Sequence, residues 1–366
     1  MVKKKDSEKL KKFFEALEKN KLKGAIAFAN NYAPQKRVKS GIFALDLALG
    51  GGIPIGHKIL FYGKKSVGKS TIVMKYLAGF LEQGMTALWI DTEGMLNISR
   101  GVVSNDSFVK WAKINGVNLD NLVLYSPDTV ELATDIMIEG MRTGSFDVII
   151  IDSLAMFEPT PEKEASALKD FQALQARAVG KMWRKIISEE VECANKGKIV
   201  TFMMTNQIRY KLGVLYGNPE TKPSGVSTDF ITSIEVELRS KGYDDAKKKE
   251  ILEVPRWLDI SFITTKNKTY PANIYGEFKL IQKDFGKFKV GNIKDHDIVL
   301  NYLVSNNLIQ VNEDGSLKFG DIDFADGNDL VKYWEDNPDK YMEFKKSLID
   351  TIIQKGDVNE QSSQEN

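Results

Sequence analysis

Cysteine and histidine are almost missing. Cys193 is the only thiol in 366 residues, so no intramolecular disulfide can form and a reducing, cytoplasmic setting is expected. His57 and His296 are the only imidazoles, far apart in the chain, which argues against a His/Cys zinc site. No uninterrupted apolar run approaches the roughly 20 residues of a membrane-spanning helix. The charged start, MVKKKDSEKLKK, has no apolar run behind it and is not expected to be a signal peptide. Neither sign of charge dominates: 51 Lys and Arg stand against 50 Asp and Glu. That balance excludes a protein that grips nucleic acid by bulk charge but leaves room for a local basic groove. Apolar residues at 42% are enough to bury a sizeable core, and the length suits one large core with small appendages.

The chain falls into three stretches. Residues 1–39 read as an N-terminal helix and short strand. Leu10, Phe13, Phe14 and Leu17 recur at helical spacing, and Ala25–Phe28 forms a short apolar run. An arm this small cannot bury its apolar face alone, so it is expected to dock on its own core or on a neighbouring copy. Residues 40–285 read as α/β. Lys58–Tyr62, Thr86–Ile90, Val148–Ile151 and Ile199–Met203 are apolar without alternation, the mark of strands covered on both faces. A helix over about 167–187 carries one stripe from Leu168 to Ile186. The spacing predicts a doubly wound, mostly parallel sheet. Strands near 234–238, 258–264 and 277–281 alternate more and predict an antiparallel extension, with a charged, solvated insertion at 240–253. Residues 286–366 read as a small α+β lobe with a polar tail.

Gly63-Lys64-Lys65-Ser66-Val67-Gly68-Lys69-Ser70 fits the phosphate-loop spacing, between a strand ending at Tyr62 and a helix starting at Thr71. Glycines let backbone amides turn toward a pyrophosphate, and the helix N-terminus adds positive potential. Lys69 would meet the β- and γ-phosphates, and Ser70 would offer its hydroxyl to Mg²⁺. Asp152 ends a buried strand and would complete the magnesium site; alone it would be only a strand end, but beside the loop it gains meaning. Glu93, just past the strand carrying Trp89, Ile90 and Asp91, is a candidate for polarising a water, against a plainer reading as a surface or capping acid. After a strand ending at Met204 come Asn206, Gln207 and a long stretch with Arg209, Lys211, Lys222 and Gly225. Its cations, tyrosines and glycines suit single-stranded nucleic acid, against a plainer reading as a long surface loop.

The order of these blocks, with Asn206-Gln207-Ile208-Arg209, then Gly217-Asn218-Pro219-Glu220-Thr221, then Lys266-Asn267-Lys268, resembles the RecA family of homologous-recombination ATPases over about Ser7 to Phe285. The C-terminal lobe does not resemble the bacterial housekeeping member, which points toward a phage or plasmid relative of the UvsX type. The resemblance implies ATP and Mg²⁺ as cofactors and the phosphate loop from Gly63 to Thr71 as the nucleotide site. It implies Glu93 as general base and Gln207 as the γ-phosphate sensor. Lys266 and Lys268 would be cations delivered to a neighbour's nucleotide. DNA-binding loops would lie at about 161–171 and 208–226. The implied partners are single-stranded DNA, homologous duplex DNA and further copies of the chain in a helical filament, with a single-strand-binding protein and a loader besides. Lys64-Lys65 departs from the family's usual Pro-Glu. The segment 94–115 is longer than the family's, so the adenine-packing residue is unplaced, with Phe108 and Trp111 as candidates. A hexameric helicase or clock-type ring ATPase would use the same phosphate loop, and a small-molecule kinase is a third reading.

Overall fold

A computed structural model describes residues 4–19, 29, 32–160, 172–210, 220–221, 226–243 and 254–364. One nine-stranded sheet organises them. Its strands are β1 Lys58–Gly63, β2 Ala87–Asp91, β3 Leu122–Tyr125, β4 Val148–Asp152, β5 Thr201–Gln207, β6 Ile234–Tyr243, β7 Trp257–Asn267, β8 Tyr275–Ile281 and β9 Ile293–Lys294, in spatial order β9-β8-β7-β6-β1-β5-β4-β2-β3. The run from β6 to β3 is parallel, and β7, β8 and β9 are added antiparallel. This is the α/β architecture that the apolar runs predict, antiparallel extension included.

Successive residues of one strand feed different cores. Ile59 and Phe61 join Ile72, Tyr76 and Phe80 of helix Lys69–Glu82 on one face. Leu60 and Tyr62 join Met182, Trp183 and Ile186 of helix Gln172–Ala194 on the other. Apolar residues at both phases of the strand period thus need helices on both faces. The expected helix stripe holds at Met182, Trp183 and Ile186, which are buried; Leu168 and Phe171 lie outside the described residues.

Several boundaries differ from the sequence reading. β5 runs to Gln207, because Asn206 and Gln207 pair with Tyr62 and Gly63 of β1. β6 continues to Tyr243, so residues 240–243 are strand, though largely exposed as expected; 244–253 lie outside the described residues. β7 extends through Lys266 to Asn267. β3, an edge strand of four residues, none fully buried, carries the short apolar run Leu122–Tyr125 but is not among the strands expected from the sequence.

The N-terminal helix Lys4–Lys19 forms as its periodicity predicts; Leu10 and Phe13 are about half exposed while Phe14 and Leu17 are partly buried, so its apolar stripe is only partly covered. A third apolar cluster gathers Val299, Leu303, Leu317, Leu330, Trp334, Tyr341 and Ile349 around Phe43, a residue from the N-terminal side of the sheet. Beside it Lys345 and Asp295 form a buried ion pair at 2.9 Å. Asp295 also accepts from Tyr341 Oη and the Phe43 amide, and these bonds tie the C-terminal segment to the start of the core.

Candidate nucleotide and DNA site

The phosphate loop leaves β1 at Gly63 and enters the Lys69–Glu82 helix, which begins two residues earlier than the apolar pattern predicts. Two glycines are required by geometry. A Cβ on Gly63 would lie 2.3 Å from the Leu238 carbonyl oxygen of β6, and Gly68 caps the helix at φ +87°. Gly68 has no side chain with which to accept from the first-turn amides. Gly68 thus leaves those donors without an N-cap side chain, as an anion site at a helix N-terminus needs. Lys64, Lys65 and Ser66 are exposed on the outer side of the loop, while Val67 anchors it in the core and Thr71 is buried behind it.

Lys69 is buried and donates to the carbonyls of Lys64 at 2.7 Å and Gly63 at 3.3 Å. Burial holds its pKa below the ordinary lysine value, opposed by the carboxylates of Asp152 and Glu93. Asp152 ends β4. Burial raises its pKa, opposed by hydroxyl hydrogen bonds from Thr205 and Ser70. A serine hydroxyl beside a carboxylate is a hard oxygen donor pair, which suits Mg²⁺ better than a softer metal.

Glu93 stands two residues beyond β2. Its Oε1 accepts from Ser153 Oγ at 3.1 Å and from Gln207 Nε2 at 3.2 Å. Asp91, also at this strand end, has a different job. It is buried and accepts from the amides of Glu93 and Leu96, at 3.0 and 2.7 Å. Asp91 therefore shapes the turn that presents Glu93, a role that the bare Asp-Thr-Glu sequence does not reveal. Thr92 fixes the same turn by exchanging hydrogen bonds with the Ser153 backbone.

Ile208 N donates to Gly63 O at 3.1 Å, so the chain leaving β5 is pinned to the start of the phosphate loop. Arg209–Tyr210 then pairs antiparallel with Glu220–Thr221, closing the base of the proposed second DNA loop. Lys211, Lys222, Gly225 and the first loop at 161–171 lie outside the described residues.

Lys266 and Lys268 are not with this group. Lys266 pairs with Glu235 near the start of β6, and Ile234 of β6 pairs with Ile59, whereas Leu238 pairs with Gly63. Ile59 and Gly63 are four residues apart on β1, about 13 Å along the strand. The two lysines thus occupy the sheet end opposite the phosphate loop. Lys266 is a strand residue, two positions beyond the 258–264 that the alternating pattern predicts. It donates to the Asp229 carbonyl and to Thr232 Oγ1, and lies 3.9 Å from Glu235. Lys268 is exposed. Phe108 packs edge-on against Trp89, and Trp111 packs against the same core, so both adenine-packing candidates serve the helix Asp106–Ile114 as core anchors.

The family model for the RecA N-terminal domain matches residues 8–298. Protein RecA of Clostridium acetobutylicum is 32% identical over 361 residues, covering 96% of this chain and 95% of that protein. Protein RecA of Gloeobacter violaceus is 34% identical over 285 residues, covering 76% of this chain and 69% of that protein. Protein RecA of Francisella philomiragia is 36% identical over 245 residues, covering 67% and 62%. The first alignment extends into the C-terminal segment, past the end of the family-model match at residue 298. The chain belongs to the RecA family, and is an ATP-dependent recombinase.

Proposed function

We propose that this recombinase assembles as a helical filament on single-stranded DNA, pairs it with homologous duplex and exchanges strands, with hydrolysis of ATP stimulated by DNA. The single observation that carries the coupling is the double link at the foot of the second loop. Gln207 bonds Glu93, and Ile208 bonds Gly63, so the DNA loop, the candidate base and the phosphate loop share one scaffold.

In this reading the uncapped first turn of the Lys69–Glu82 helix and the Lys69 ammonium hold the phosphates. Ser70 and Asp152 hold Mg²⁺, which when bound supplies neutralising charge at the phosphate oxygens. Glu93 accepts the proton of the attacking water. Gln207 reports the terminal phosphate to the loop carrying Arg209, Lys211, Lys222 and Gly225. Lys266 and Lys268, at the opposite sheet end, serve a neighbouring protomer's nucleotide, and the exposed Leu10 and Phe13 of the N-terminal helix rest on a neighbour. The chain then divides into an oligomerisation arm at 1–39, an ATPase core at 40–285 and a lobe at 286–366. A single-strand-binding protein and a loader act beside it in the cytoplasm. Among the described residues no helix is long and apolar enough to cross a membrane.

Turnover measured with and without an unstructured oligonucleotide tests the reading, together with images of the protein on DNA with a non-hydrolysable ATP analogue. Stimulated turnover and helical filaments are expected. Closed rings would favour the helicase-like alternative, and turnover indifferent to DNA would remove the coupling.

A further inference from the structure

A cavity of about 260 Å³ lies between the phosphate-loop helix and the C-terminal segment. Its apolar wall is aromatic. Phe288 meets His296 edge-on at 5.6 Å, His296 stacks on Tyr341 at 4.1 Å, and Tyr341 meets Trp334 at 5.2 Å. Burial drives the His296 pKa down to about 4, so near neutral pH this wall is uncharged.

The charges around the cavity are nearly all matched. Lys345 pairs with Asp295 at 2.9 Å, Lys287 with Asp336 at 2.5 Å, and Glu335 with Lys294 at 2.7 Å. Lys75 is the exception. It projects from the Lys69–Glu82 helix into the cavity lining and has no hydrogen-bond or ion-pair partner among the described residues. Burial and the neighbouring Lys345 bring its pKa down to about 8, which still leaves it mainly protonated at neutral pH. A partly desolvated cation without a counter-charge is costly, and an anion placed beside it recovers that cost.

The size and charge narrow the occupant. A cavity of about 150 Å³ already holds benzene. One of about 260 Å³ accommodates a single ring or short aliphatic body with a carboxylate. One unmatched lysine calls for a monoanion, whereas a dianion would leave a charge over beside Glu335. We propose that this cavity binds a small organic carboxylate, with Lys75 as its ion partner and the Phe288–His296–Tyr341–Trp334 wall against its apolar body. Such a ligand would bridge the phosphate-loop helix and the C-terminal helix Pro338–Gln364, which contributes Tyr341 and Lys345.

Benzoate titrated into the full chain by calorimetry, with no nucleotide present, tests this directly. Saturable binding is expected. Benzamide, which lacks the charge, and inorganic phosphate, which lacks the apolar body, should each bind at least tenfold more weakly. Lys75→Met should weaken benzoate at least tenfold, and Lys75→Arg should restore most of it. Met342→Trp, placed to fill the cavity from its rim, should abolish binding and stands in if the Lys75→Met protein does not fold. Failure of benzoate to saturate the parent protein would overturn the proposal. So would equal binding to the folded Lys75→Met or Met342→Trp variants, or phosphate binding as tightly as benzoate.

Discussion

Gln207 Nε2 donates to Glu93 Oε1 at 3.2 Å across the end of β4, whose following residue Ser153 donates to the same oxygen. Three strand ends therefore converge on one carboxylate. Any ligand group that takes the Gln207 amide for itself must change the hydrogen bonding of Glu93 and the position of the loop that starts at Ile208.

Glu93→Gln is expected to separate binding from hydrolysis. The amide retains an oxygen that can accept from Ser153 and Gln207 but cannot take a proton from water. Turnover should fall by on the order of 10²–10⁴, while nucleotide affinity stays within a few-fold. A mutant with near-normal turnover would remove Glu93 from the reaction. Asp91 would not replace it, because its carboxylate is spent on the amides of Glu93 and Leu96.

Gln207→Ala is expected to cut the link between nucleotide and DNA. The parent protein should bind an oligonucleotide more tightly with a non-hydrolysable ATP analogue than with ADP, with a steep salt dependence from phosphate contacts. The variant should bind equally in both nucleotide states. If it keeps the parent's preference, communication runs by another route.

The sequence makes the phosphate loop legible because its glycines answer to backbone constraints: Gly63 must pass the Leu238 carbonyl and Gly68 must take a positive φ. Buried parallel strands are legible because both faces are apolar. What escapes is whatever depends on partners distant in sequence. Asn206 looks like the end of a strand by polarity, yet pairing with Tyr62 keeps it inside the sheet. Asp91 and Glu93 are chemically alike, and only the turn between them assigns one to structure. The Lys345–Asp295 pair joins residues 50 apart, and nothing local to either marks it.

Lys69→Ala should remove a charged contact to the phosphates. Such contacts contribute roughly 1.5–3 kcal/mol, so nucleotide affinity should drop about tenfold to a hundredfold. The same change frees the carbonyls of Gly63 and Lys64 from the ammonium, so a thermal melt should accompany the titration. Unaltered affinity in the folded variant would displace the phosphate-loop assignment.

His296 should make acid stability depend on the C-terminal segment. Its folded pKa, lowered to about 4 by burial, lies below the ordinary value of 6.5. Between these values the unfolded chain binds a proton that the folded chain refuses. The contribution is therefore fully present above pH 6.5 and is lost as pH falls toward 4, amounting to about 3 kcal/mol at most. His296→Phe keeps a ring to stack on Tyr341 and cannot titrate. Urea unfolding from pH 4.5 to 7.5 should show a shallower acid limb for the variant. Parallel limbs would mean that groups other than His296 govern the decline.

Lys266 and Lys268 should act on another protomer's nucleotide, because the sheet places them at the end opposite their own phosphate loop. The two substitutions should differ. Lys268 is exposed, so Lys268→Ala should shift stability by no more than about 0.5 kcal/mol while lowering DNA-stimulated turnover. Lys266→Ala should also cost stability, because the ammonium bonds the Asp229 carbonyl and Thr232 and faces Glu235. The double variant should still bind ATP through its own Lys69 and hydrolyse it poorly. Mixing gives the sharper test. Protomers carrying Lys69→Ala hold nucleotide poorly but keep both distal lysines; the double variant holds nucleotide but lacks them. In a mixed filament the first can complete a site on the second, so turnover should exceed the sum of the two proteins assayed alone. If co-assembly is verified and no ratio exceeds that sum, the lysines act only within their own chain.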